Sequence, residues 1–474
     1  MKKQLRKDGK RVNLRDSLEE QDEESAARKQ LSHAVKNFMG EEGNSSECPD
    51  KDKTHLRYRL DFLSVLHQKF LAESGHDCSF AQFCRLIPEN IIKPKPTDWG
   101  TNLCMTCINP QLMLEGLKRA IKEQFNGLNL EDICDYFKKD LHKLMSKVGE
   151  LKKNIPFLQW TRVKTTKEKK TGEAPKKKNT TTYRSEKQSL SVNSKAFAKK
   201  FLEEVNQLQE HNRKKISQYR RIREIRQIVA DPVNDAAAIR IDWSENATLF
   251  QTRQEKSDYY HTTQVSINTV VSYQSTGVQS HATISDYTSH RAAATWTSLK
   301  SILLNLHCSR LYIISDSPTS QYRNAYNCYL AKKYAEEHNC EVVWVFTEVV
   351  HGKGPMDGVG GALKKKIDDV IAYRPNNVIR NTAQLVKALP PSEIRISTYT
   401  RADFDRIQDR LPKQISVKSS ELGIASAHKV KFPIDVGSTI YLKEVSCDGS
   451  YKLATLHQKK LIRVNADDEH AVGD

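Results

Sequence analysis

A sustained helical recurrence of apolar residues is read from residue 56 onward. Tyr58, Leu60, Phe62, Leu63, Leu66 and Phe70 gather on one face and predict an amphipathic helix. Upstream, residues 1–55 turn from basic to acidic through Glu19–Glu24 without a sustained apolar period, which predicts a disordered charged tail. The segment from Ser79 predicts a short helix stopped by Pro88, and Leu112–Phe125 and Leu130–Val148 predict two longer ones. Residues 56–155 therefore read as a helical domain. Residues 156–194 lose the pattern: Lys164, Lys167, Lys169, Lys170 and Lys176–Lys178 are scattered among Thr, Gly and Pro, the composition of a basic linker. In 195–230 the period returns as one long helix, with Phe197, Phe201, Val205, Leu208, Ile216, Tyr219, Ile222, Ile225 and Val229 on its apolar face.

Beyond residue 230 the period shortens to two. Ala236–Asp242, Gln264–Tyr273 and Ala282–Tyr287 predict three strands, followed by a helix over Thr295–His307. Leu311–Ile314 predicts a fourth strand, Tyr322–His338 a helix, Glu341–Thr347 a fifth strand and Ala362–Ile371 a further helix. The first three can meander antiparallel, whereas the fourth and fifth, each reached through a helix, must run parallel. This is the element order of a ribonuclease H-like fold, placed at residues 231–375. Residues 376–474 predict a small C-terminal region: strand and helix over Glu393–Ile407, then short strands over Phe432–Ile462. The expected class is α/β, a mixed five-stranded sheet with flanking helices, preceded by a helical domain and followed by a small α+β or β tail.

Charge narrows the partner. Of 474 residues, 76 are Lys or Arg and 58 Asp or Glu, a net charge of +18, which favours a polyanion, nucleic acid before membrane. No apolar run approaches the ~20 residues that span a bilayer, and no apolar stretch follows the basic Met1–Lys7, so neither a membrane segment nor a secretory signal is expected. The helix at 195–230 concentrates Arg213, Lys214, Lys215, Arg220, Arg221 and Arg223 on its polar side, a face suited to a phosphate backbone or simply to solvent. DNA as partner and a nuclear, otherwise cytoplasmic, location are the corresponding expectations, with a homo-oligomer as a further one.

Two sets of residues carry candidate chemistry. Asp242 ends the first strand, Asp316 ends the fourth, and Asp357 precedes the last helix. Phosphodiester displacement needs two cations ~3.5–4 Å apart held by such carboxylates, and hard Mg2+ or Mn2+ takes oxygen ligands. Each aspartate taken singly is equally suited to capping a turn. The second set is Cys104 and Cys107, whose spacing lets two thiolates face one Zn2+. Cys134 is the leading candidate to help close that site, with Cys78, Cys84, His76 and His142 as rivals. Without a metal, the pair would pack as small hydrophobes.

Asp242–Asn246, Ser315–Asn324 and His351–Gly361 together resemble a group of animal proteins derived from DDE-type DNA transposons with a ribonuclease H-like core. Gln264–Asn268, Ser285–His290, the basic His211–Gln227 helix and the Cys104–Cys107 region extend the resemblance over most of 56–375. It implies DNA strand cleavage and transfer, a domesticated descendant that binds nucleic acid without turnover, or a ribonuclease H-like nuclease. Asp357 stands where such transposases usually carry glutamate; Glu348, Asp368 and Asp369 are its rivals. His351 and Lys353 are candidates for contact with the scissile phosphate, and Glu245, Asn246, Gln321 and Asn324 are candidate cofactor-binding residues.

Overall fold

The computed structural model describes residues 26–39, 43–49, 55–59, 61–92, 104–121, 130, 133, 138–169, 178–250, 255, 263–348, 351–373, 378–435, 437–447 and 449–458. The chain divides into two compact units, Met1–Tyr219 and Arg220–Asp474.

In the first unit, part of the expected tail is ordered. Residues 26–39 form a helix whose Val35, Phe38 and Met39 are buried with Leu66, Phe70 and Phe83. The apolar stripe Leu31, Val35, Phe38, Met39 has helical spacing, but charged neighbours dilute it in composition. A second core joins α1 (Met105–Ala120) to a long hairpin, β1 (Asn154–Lys169) and β2 (Lys178–Asn193), and to the start of α2 (Ser194–Ala230). The expected basic linker is thus a hairpin, paired from Asn154 opposite Asn193 to Lys169 opposite Lys178. Ile155 and Phe157 are buried at alternate positions, with Leu190 and Val192 packed against the same core. One apolar face in a lysine-rich ribbon suffices to dock it. Asn109 of α1 fastens the ribbon, donating to Trp160 O and accepting from Trp160 N at 3.0 and 2.9 Å.

The second unit is built on one ten-stranded sheet. β3 (Ala236–Thr248), β4 (Gln264–Gln274) and β5 (Gly277–Ser285) form an antiparallel meander. α3 (Ala292–Leu303) leads to β6 (Arg310–Ser315), α4 (Ala325–His338) leads to β7 (Glu341–Phe346), and α5 (Pro355–Tyr373) follows. β6 runs parallel to both β3 and β7. Then come β8 (Arg395–Thr398), α6 (Arg401–Gln408), β9 (Ile415–Lys418), β10 (Lys429–Phe432), β11 (Thr439–Lys443) and β12 (Lys452–Gln458). Across the sheet the order is β8-β5-β4-β3-β6-β7-β10-β11-β12-β9. The class is α/β with a mixed sheet.

The C-terminal strands were expected as a small separate tail, yet they prolong the sheet. β10 pairs antiparallel with β7, Val342 opposite Phe432 through Val345 opposite Lys429. The reason lies in β7, whose Val342–Phe346 are buried on both faces. Such a strand is interior by composition and needs a neighbour on each side. Buried Lys332 of α4 fastens the extension by donating to Pro433 O and Asp435 O at 2.7 and 2.5 Å.

Alternation along β3 and β6 sorts side chains onto two faces. Ala237, Ile239, Ile241, Leu311 and Ile313 face the core shared with α3 and α4. Arg240 and Ser244 lie on the opposite face, against the start of α5.

Candidate functional site: a cluster of aspartates

Asp242 is borne by β3, and Asp316 immediately follows β6. Arg240 lies opposite Ile314 in the parallel register, so two residues further along each strand Asp242 and Asp316 reach the same level on the α5 face. The first turn of α5 carries Asp357. The His351–Pro355 turn reaches this level by lacking side chains. A Cβ on Gly352 would sit 2.7 Å from Asp316 Cβ, and one on Gly354 would sit 2.3 Å from the Arg240 guanidinium. Arg240, almost fully buried, donates from Nη2 to Lys353 O at 3.2 Å and so holds the turn from beneath.

Electrostatics single these carboxyls out. Burial, then the charges of Asp316 and Asp357, push Asp242 up to about 8, against the milder pull of the Trp243 backbone N–H and Arg240. Burial and Asp357 push Asp316 up to about 7. Its buried Oδ1 accepts no hydrogen bond. Asp357 is exposed and accepts the Gly354 N–H at 2.8 Å through Oδ2, closing the helix start. Tyr322 is fully buried; burial, Asp242 and Asp316 hold its phenol far above the usual range, and its hydroxyl makes no hydrogen bond of good geometry.

Other expected site residues are engaged elsewhere or point outward. Glu245 is exposed. Asn246 Oδ1 meets His290 Nε2 at 2.9 Å. Asn324 caps α4 by accepting Asn327 N at 3.0 Å, and the Gln321 carbonyl accepts from Asn324 and Asn327. Lys353 is exposed, and half-buried His351 donates its backbone N–H to Glu348 O at 3.0 Å. Among the rivals to Asp357, Glu348 faces His428 at 2.9 Å. Asp368 and Asp369 are exposed on α5, about three turns, or ~16 Å, beyond Asp357.

Of the basic candidates on α2, Lys215 is corrected: it is 1% exposed and its Nζ lies 2.5 Å from Asp61 Oδ1, so it cannot face a phosphate backbone. The buried ammonium meets a half-buried carboxylate, a tertiary pairing that helical spacing does not reveal. Arg213 forks onto Glu210 at 2.8 Å through both Nε and Nη2. Arg221 bonds Glu224 at 2.9 Å and lies over the Tyr312 ring. Arg220 is exposed, while Lys214 and Arg223 are half-buried.

The first unit holds a separate cluster that can hold a metal ion. Cys104, Cys107 and His211 each bring a ligand atom within 4.8 Å of the others. Cys134 lies outside the described residues, and Cys78 and Cys84 pack against the Phe70 core instead. Arg240, Tyr322 and His211 went unmarked as site residues in the sequence. Arg240 was detectable as the one charged residue in the otherwise apolar run Ala236–Ile241; nothing local marked Tyr322 or His211.

Residues 218–446 match the model of a family described as a domain of unknown function, DUF8701. The matched segment contains all three aspartates together with β10 and β11. No curated protein and no solved structure matches the chain.

Proposed function

We propose that the second unit is a ribonuclease H-like core of the DDE transposase type, cleaving and joining DNA strands by metal-dependent phosphoryl transfer. The observation that carries this reading is the convergence of Asp242, Asp316 and Asp357 from the middle of β3, the end of the adjacent parallel β6 and a helix start, with an orphaned buried oxygen on Asp316. Supporting it, β5-β4-β3 form an antiparallel meander continued on the β3 side by the parallel strands β6 and β7, the strand order expected of that fold. The donor set fits hard divalent cations: it offers oxygens only, and burial together with neighbouring acid charge raises Asp242 and Asp316. Bound Mg2+ or Mn2+ would supply activation of the attacking oxygen and stabilisation of the leaving one. The chain itself presents the carboxylates from rigid strands, and Arg240 fixes the turn that brings in Asp357. Buried Tyr322 walls the acids from beneath and keeps water from one side. The polyanion would be drawn by the net charge of +18.

A second reading, a nucleic-acid-binding protein without turnover, draws on Asp357, one of whose oxygens is already spent on the helix start. Two measurements separate them. Anomalous diffraction from manganese-soaked crystals is expected to place peaks among Asp242, Asp316 and Asp357; a well-ordered, empty cluster at millimolar manganese favours the second reading. In a magnesium- or manganese-dependent strand-cleavage assay, Asp316→Asn is expected to abolish turnover while sparing DNA binding. Unchanged cleavage in that variant sinks the catalytic assignment.

A further inference from the structure

We infer that Cys104, Cys107 and His211 form a structural zinc site that staples the start of α1 to the middle of α2. This is independent of the aspartate cluster and of the reading placed on it. Cys104 is the residue preceding α1, and Cys107 lies in the first turn, with its N–H and that of Ile108 bonded to Cys104 O at 3.1 and 3.0 Å. A residue before a helix and the residue three further on face each other, as in a capping box, so both sulfurs leave the backbone on one side.

The third ligand comes from 104 positions further along the chain than Cys107. Cys104 Sγ and His211 Nε2 are 3.6 Å apart. A tetrahedral zinc with Zn–S of ~2.3 Å and Zn–N of ~2.0–2.1 Å places sulfur and nitrogen about 3.5–3.6 Å from each other. The separation thus matches two ligands of one ion without any movement. All three ligand atoms lie within 4.8 Å of one another, close enough for small side-chain adjustments to bring them onto one ion. His211 is buried, so the imidazole is committed to the interior. Lys215, one turn along α2 on the same side, brings Nζ to 4.0 Å from Cys107 Sγ while bonded to Asp61. That places an ammonium beside a ligand sulfur, the outer-shell arrangement that stabilises thiolate charge at a metal. A tetrahedral ion takes one donor more than these three.

The test uses the full-length chain produced with zinc in the medium and dialysed. Mass spectrometry of metals is expected to find close to one zinc per chain. Replacing zinc by Co2+ is expected to yield thiolate-to-cobalt charge-transfer absorption in the near ultraviolet and tetrahedral d–d bands. Cys107→Ser and His211→Ala are expected to lose zinc to a chromophoric chelator, whereas Cys78→Ser holds it like the unaltered chain. Lys215→Met is expected to weaken zinc by ~10–100-fold, as loss of an outer partner does. A chain that stays metal-free after zinc addition, or a cobalt form without thiolate bands, overturns the site whatever the variants do. So does wild-type zinc affinity in soluble His211→Ala, which would leave the 3.6 Å contact a thiol–imidazole hydrogen bond.

Discussion

In metal-free protein, Asp242→Asn is expected to stabilise the fold increasingly as pH rises. The folded-state pKa of Asp242 is raised from 3.8 to about 8. Folded protein therefore binds more protons than unfolded protein between those values, and stability must fall as pH climbs through them. At pH 3 both states are largely protonated and the aspartate carries no penalty. Near pH 8 the full penalty would be roughly 5–6 kcal/mol at 1.36 kcal/mol per unit. Residual solvent screening and the proton economy shared with Asp316 reduce it to roughly 2–3 kcal/mol. Asparagine keeps the shape and never ionises. With ~2–4 °C per kcal/mol for a unit of this size, the variant should melt ~5–10 °C above the unaltered chain at pH 8 and level with it near pH 4. The assay is thermal unfolding by near-ultraviolet circular dichroism across that pH range, in buffer freed of magnesium and manganese. Adding manganese should then raise the melting point of the unaltered chain and leave the variant nearly unmoved. A difference that stays flat with pH, or a variant less stable at pH 8, would refute the account of a mutually repelling acid cluster.

Three further outcomes follow from named contacts. Gly352→Ala puts a methyl 2.7 Å from Asp316 Cβ, so it should cost ~1–3 kcal/mol in urea unfolding and weaken manganese binding, with both effects read in one titration. Lys215→Met takes the buried ammonium away from half-buried Asp61 and should destabilise the chain by ~1–3 kcal/mol, part of it recovered when Asp61→Leu is added, as a double-mutant cycle can measure. Arg220→Ala should lower the salt slope of DNA binding by about one and leave melting unchanged, whereas an unaltered slope removes that position from the interface.

How much was legible can be traced residue by residue. Asp242 and Asp316 stood out because a strand's apolar run is a local signal and each aspartate interrupts it. Asp357 was placed by its position ahead of the last expected helix, and the purpose of the glycines around it is visible only against Asp316 and Arg240. The hairpin at Asn154–Asn193 was hidden because lysines outnumber its few inward residues. The docking of residues 26–39 was hidden in the same way. Lys215 and Arg220 look alike in the sequence, yet one is buried with Asp61 and the other exposed. Their faces on α2 are set by what packs there.

By itself the sequence determined the local periods: helices where apolar residues return every three or four positions, strands where they alternate, and a break between the two near residue 235. Those periods are set by bond geometry and need no partner to be read. The tertiary structure alone decided which strands became neighbours and that the C-terminal strands complete β7. It also decided that His211 meets Cys104 and that Asp242 stands level with Asp316. Such pairings join residues far apart in the chain, where burial, register and charge act on the folded whole and leave no periodic trace in the sequence.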